Sequence, residues 1–217
     1  MTAHRFKKDN SDITGKVMIR EWLIQELGGA TNCNVLELFG GDGHIHDACY
    51  KQVHSHLAFD TRKIDRPNWL QGDNKILLPM HATGWNLFDA DAYANPWPIV
   101  SHVHRLTDQS RYAVVVTDGI QRPLNAGEGG GFVRQRINYN GMTPCGLLTR
   151  WYDDIVRWII SDWSRYDVTV EQCKRLTSKE SYRVHYYGFI VNKKQAHAQA
   201  PTPTKAGAKK ITIVKKK

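Results

Sequence analysis

The feature that most restricts this 217-residue chain is Val35-Leu36-Glu37-Leu38-Phe39, followed at once by Gly40-Gly41-Asp42-Gly43. The apolar run predicts a strand over residues 34 to 39, and the glycines predict a tight turn into a helix reaching about residue 52. Where no Cβ intrudes, the backbone of such a turn comes close to a bound ligand. The helix that follows also offers amide N–H groups that lack partners within it. The spacing is Glu-x-Phe-x-Gly-x-Gly rather than the dinucleotide-binding Gly-x-Gly-x-x-Gly, because Glu37 and Phe39 hold the early positions. A carboxylate at that strand end is awkward beside a pyrophosphate and sensible beside a cationic amine.

The rest of the chain repeats the alternation. Residues 16 to 27 predict a helix, stopped by Gly28-Gly29. Strands are expected over 54 to 60, 67 to 70, 85 to 88 and 112 to 117. Helices are expected over 74 to 82 and after Pro96, where a missing N–H costs nothing. An amphipathic helix over 147 to 163 precedes two closing strands, 168 to 176 and 182 to 191, joined by a turn at Ser178-Lys179. Strand and helix alternating through short connections imply an α/β fold, with a mostly parallel sheet covered on both faces.

Several carboxylates stand at strand ends, where such a fold binds ligands. Asp60 follows Glu37 by 23 residues and is placed to accept bonds from a ribose diol. Asp73 either receives the exocyclic amine of adenine or is a surface carboxylate. Asp89, Asp91 and Tyr93 follow the fourth strand: two acceptors for an amine and one ring for stacking. Alternatively, Asp89 caps the turn and Tyr93 packs. Asp118 either faces the pocket or bonds the backbone at the end of its strand.

From about residue 34 to 192 the chain resembles the class I S-adenosylmethionine-dependent methyltransferases. Residues 36 to 43 are similar to the acidic-x-Phe-Ala-Gly-x-Gly motif of many nucleic-acid methyltransferases. The segment Asp89-Ala90-Asp91-Ala92-Tyr93-Ala94-Asn95-Pro96 resembles the Asp-x-Asp-Pro-Phe-Gly-Ser-Pro segment of the tRNA guanine-N2 dimethyltransferases, with Ala92 and Ala94 replacing its proline and glycine. Thr117-Asp118 has a counterpart there too. The resemblance implies a Rossmann-like sheet of seven strands closed by an antiparallel hairpin. It implies S-adenosyl-L-methionine as cofactor, held by Glu37, Phe39, Gly41, Gly43, Asp60 and Asp73. Asp89, Asp91 and Tyr93 would handle a target base, giving methyl transfer to a base nitrogen of nucleic acid, RNA rather than DNA. The alternative is a catalytically silent relative serving as a nucleic-acid-binding or assembly subunit, which Ala92 and the unusual Asp42 also fit.

Charge points the same way. The formal net charge of +9 sits at the ends: residues 193 to 217 hold eight lysines and no acid, whereas residues 11 to 192 hold 19 basic and 20 acidic groups. The expected organisation is a basic arm (1 to 13), a methyltransferase-like domain (14 to 192) and a disordered lysine-rich tail (193 to 217). Lys209, Lys210, Lys215, Lys216 and Lys217 suit phosphate contact, or a plain solubilising tail. Arg122, Arg134 and Arg136, set in a glycine-rich loop, suit bidentate phosphate recognition or simple solvation. Nucleic acid is therefore the expected partner, and a protein partner or homodimer is compatible. No apolar run is long enough to span a membrane, and a cytoplasmic protein is expected. The pairs His44/His46, His54/His56 and His102/His104 lack a cysteine or carboxylate at ligand spacing, so no metal site is expected.

Overall fold

The computed structural model describes residues 13–92, 95–119, 156–157, 159–178 and 184–194. Tyr93, Arg122, Arg134, Arg136 and the tail lysines from Lys209 onward lie outside the described residues, as does most of the helix expected over 147 to 163.

Seven strands form one sheet: β1 (Asn34–Glu37), β2 (Ser55–Asp60), β3 (Trp69–Gln71), β4 (Leu87–Ala90), β5 (Arg111–Asp118), β6 (Val168–Thr177) and β7 (His185–Lys193). Their order is β3-β2-β1-β4-β5-β7-β6. The first five run parallel, and β7 is inserted antiparallel between β5 and β6. This is the mostly parallel sheet with a closing hairpin that the sequence implies. The hairpin strand β7 runs to Lys193, two residues past its expected end. Its Nζ donates to the carbonyl oxygen of Thr107 at 2.8 Å.

Alternation along the strands sorts the core into two layers. Val35, Leu87, Ala113, Val115 and Ile190 face α1 (Ile13–Glu26), which buries Ile19, Leu23 and Ile24 against them. Leu36, Leu38, Phe59, Phe88, Val114 and Val116 face the other way. There they meet Leu78 of α2 (Asn74–His81) and Val100 and Val103 of α3 (Trp97–Leu106). The same periodicity puts Glu37 and Asp89, paired across β1 and β4, on the α1 side of the sheet. Charged groups thus end an apolar stripe and need polar partners from neighbouring elements.

The helix expected after the glycine turn covers residues 44 to 50, and His46–Tyr50 within it form a π-helical turn, of the kind often found at functional sites.

Candidate active site

A cavity of about 510 Å³ opens at the carboxyl ends of the parallel strands, within the size range of small-molecule sites. Leu38 and Phe39 after β1, Asp60 and Thr61 after β2, Asp73 at the start of α2, and Asn95 and Ile99 at the start of α3 line it. Three of the sequence-proposed cofactor residues, Phe39, Asp60 and Asp73, are therefore brought together here. Phe39 is 37% exposed, an unusual state for a phenyl ring and consistent with a ligand-facing position. Asn95 and His102 also line the cavity. Sequence reasoning gave neither a site role, although Asn95 lies in the segment 89 to 96 and His102 in the His102/His104 pair.

Asp60 is held in place. Oδ2 accepts from the Gly41 amide at 3.0 Å, and Oδ1 accepts from the Arg62 amide at 2.8 Å. Partial burial opposes its charge, but the bonds from Arg62 and Gly41 outweigh that and lower its pKa. Arg62 reaches across Asp60 to Asp42 at 3.0 Å with its side chain half exposed. Gly41 (φ 54°) and Gly43 (φ 84°) adopt the left-handed backbone that a glycine turn needs. Neither lines the cavity. A Cβ on Gly43 would lie 2.4 Å from Nη1 of Arg66, whose guanidinium binds Asp47. Asp73 caps α2 by accepting from the Lys75 amide at 2.8 Å, so it serves the helix while also lining the cavity.

The two carboxylates proposed for catalysis differ sharply. Asp89 is buried, receiving Nε and Nη2 of Arg20 at 2.7 Å each and the Tyr50 hydroxyl at 2.7 Å. Burial raises its pKa, and Arg20 opposes the shift. Arg20 itself is fully enclosed. Burial disfavours its charge, but Asp89, Tyr50 and Asp91 more than compensate, so it is held firmly protonated. Asp91 keeps 17% of its side chain exposed and is bound by Nζ of Lys16 at 2.8 Å, with Arg20 Nη2 at 3.8 Å. Burial would raise its pKa, but Lys16 and Arg20 prevail and lower it. Lys16 and Arg20 were not foreseen, although their four-residue spacing on α1 places them on one helix face. Asp118 turns to the other side of the sheet, where Oδ2 accepts from Nε1 of Trp97 at 2.8 Å.

Glu37 lies apart from the cavity. Its Oε2 is 2.6 Å from His56 Nε2, and both side chains are almost fully buried. Burial first, and Asp89 second, raise the Glu37 pKa well above the usual carboxylate range. Burial, helped by His46, pushes His56 down to about 3. The contact is thus a hydrogen bond to a neutral imidazole rather than an ion pair.

No protein-family model matches the sequence, and no curated protein matches it. Solved structures share the fold. Trm1 from Pyrococcus horikoshii in complex with S-adenosyl-L-methionine matches with a TM-score of 0.55 and 11% identity, over 83% of this chain and 54% of that one. TYW2 from M. jannaschii in complex with AdoMet gives 0.52 and 6%, over 83% and 77%. A putative hemolysin from Lactococcus lactis gives 0.54 and 9%, over 87% and 91%. This chain spans about half the length of the Trm1 chain. At these identities the likeness concerns the fold: a class I, Rossmann-like methyltransferase fold, shared with AdoMet-binding proteins.

Proposed function

We propose that this chain binds S-adenosylmethionine in the cavity beside Asp60 and directs methyl transfer to a base nitrogen of nucleic acid, RNA in preference to DNA. The supporting observation is the convergence of Phe39, Asp60 and Asp73 on one cavity at the carboxyl ends of β1, β2 and the loop into α2. A carboxylate fixed by the Gly41 amide suits a ribose diol, and the volume suits a nucleoside. Arg62, anchored on the exposed side of Asp60, swings outward to admit the diol. Phe39 offers an apolar face to the adenosyl group, and Asp73 lies within reach of the adenine amine while it caps α2.

When bound, the cofactor supplies a sulfonium methyl group that an amine captures by direct displacement, leaving a thioether. The protein's task is alignment and stabilisation of charge on the attacking nitrogen. Asp91, one residue past β4 and outside the cavity lining, accepts hydrogen bonds from the amine as that nitrogen becomes positive. Asp89, closed in by Arg20 and Tyr50, positions Arg20 and through it Asp91, rather than touching the base. Tyr93 stacks on a base presented out of its helix. Arg122, Arg134, Arg136 and the tail lysines hold phosphates. Transfer of labelled methyl from S-adenosylmethionine to RNA and DNA oligonucleotides in single turnover tests the reading. Label in RNA is expected; label in neither, with cofactor bound, defeats the catalytic part.

One observation favours the silent alternative. The Asp91 carboxylate already binds Lys16 through both oxygens, at 2.9 and 2.8 Å. In that reading the site binds cofactor without transfer, and the chain acts as a nucleic-acid-binding or assembly subunit.

A further inference from the structure

The turn after β1 and the second strand bring two histidines from separate sequence pairs to one carboxylate. One ligand atom each from Glu37, His46 and His56 lie within 4.8 Å of one another, the one such group found among the described residues. We propose that Glu37, His46 and His56 bind a single borderline divalent cation of the zinc type.

Three independent observations support the site. The first is charge. Glu37, Asp89 and Asp91 share one buried cluster in which Lys16 and Arg20 are engaged by Asp91 and Asp89. Glu37 is left with the His56 imidazole for a partner, and Arg66, its more distant cation, is committed to Asp47. A buried carboxylate beside two imidazoles is the donor set of a two-histidine, one-carboxylate metal site.

The second is a concentration of orphaned polar atoms. Nδ1 of His46, Nδ1 of His56 and Nε1 of Trp69 are all buried without a hydrogen-bond partner. The three rings pack together, with centroids 4.3 Å apart for the histidines and 5.0 and 5.2 Å from each to Trp69. Leaving such atoms unsatisfied is costly, so three in one spot call for an explanation. A water or hydroxide on the open position of a bound cation gives these N–H groups an acceptor.

The third is placement. His46 opens the π-helical turn and His56 lies on β2, while Glu37 ends β1. A cation would therefore staple the turn that closes the glycine loop to the sheet. Ligands on zinc stand about 3.3 Å apart, given bonds of about 2.0 to 2.1 Å, so the 2.6 Å Glu37–His56 contact opens slightly and His46 closes in.

The test uses the full chain, stripped with a chelator and titrated with Zn²⁺ against a chromophoric indicator. One equivalent is expected, with affinity lowered at least about tenfold in His46→Gln and in His56→Gln and unchanged in His44→Gln. His44 is an exposed neighbour outside the cluster and controls for surface imidazoles. Equal uptake by His46→Gln, His56→Gln and the unaltered chain overturns the site. Where a variant fails to fold, Co²⁺ bound to the unaltered chain decides. Visible bands of low-coordinate nitrogen and oxygen ligation support the site, and a spectrum like that of aqueous Co²⁺ refutes it. Neither readout involves S-adenosylmethionine, so the site stands or falls apart from the proposed function.

Discussion

Arg20 and Asp89, 69 residues apart in sequence, meet in a two-pronged ion pair with both contacts at 2.7 Å and both side chains sealed from water. The pair fixes α1 to the end of β4. Desolvating two charges is expensive, and only the fork geometry together with the Tyr50 hydroxyl offsets that cost.

Breaking the pair from one side leaves a buried guanidinium without its main counter-charge. Asp89→Asn should therefore lose about 3 to 5 kcal/mol of stability in urea unfolding. A loss under about 1 kcal/mol would mean that Asp91, at 3.8 Å from Arg20, takes over the pairing.

Asp91→Asn should behave differently. Its carboxylate is part exposed but neutralises Lys16, so some stability should be lost while cofactor affinity changes little. Single-turnover methyl transfer should fall about 10²-fold or more through loss of charge at the attacking amine. A near-normal rate would remove Asp91 from the chemistry.

Asp60→Ala removes the acceptor proposed for the ribose diol. Cofactor affinity should drop at least about tenfold, the scale of one hydrogen bond to a charged group. Arg62→Ala should hold or raise affinity, since that guanidinium competes for the same oxygens. Calorimetric titration of both variants checks this, and a large loss in Arg62→Ala would make Arg62 part of the cofactor site instead.

His104 should leave a mark on acid stability. Burial, with Lys193 adding to it, pushes its pKa down to about 3, while its ring Nδ1 meets the Tyr112 hydroxyl at 2.7 Å. In the unfolded chain it titrates near 6.5, so the unfolded state binds the extra proton between those values. Its contribution is complete above about pH 6.5 and is lost as pH falls toward 3. Between pH 7 and 5 that loss is about 2 kcal/mol, at 1.36 kcal/mol per pH unit. His104→Gln should flatten the stability profile over this interval by that amount. An unchanged slope in chemical denaturation would show that His104 is not the titrating group.

The sheet was legible because its signals are local. Val35 to Leu38 and Tyr112 to Val116 are apolar runs long enough to be buried on both faces, and all but one lie at 0% exposure where the structure seals them. Strand ends shifted by one to three residues where pairing, rather than side-chain type, decides: β3 begins at Trp69, beyond Pro67, and β4 extends through Asp89 to Ala90. Phe39, Asp60 and Asp73 share the cavity because Phe39 follows β1, Asp60 ends β2 and Asp73 caps α2, positions that the strand and helix signals mark. The partners of Asp89 and Asp91 were not, because Lys16 and Arg20 reach them from a helix about 70 residues upstream. The meeting of His46 with His56 depends on a π turn, whose five-residue hydrogen-bonding step leaves no periodic signal in the sequence.

The most direct measurement is calorimetric titration of the folded chain with S-adenosylmethionine. The account predicts binding with Kd on the order of 1 to 100 μM, roughly −5 to −8 kcal/mol, weakened at least about tenfold in Asp60→Ala. No heat of binding at millimolar ligand would contradict it.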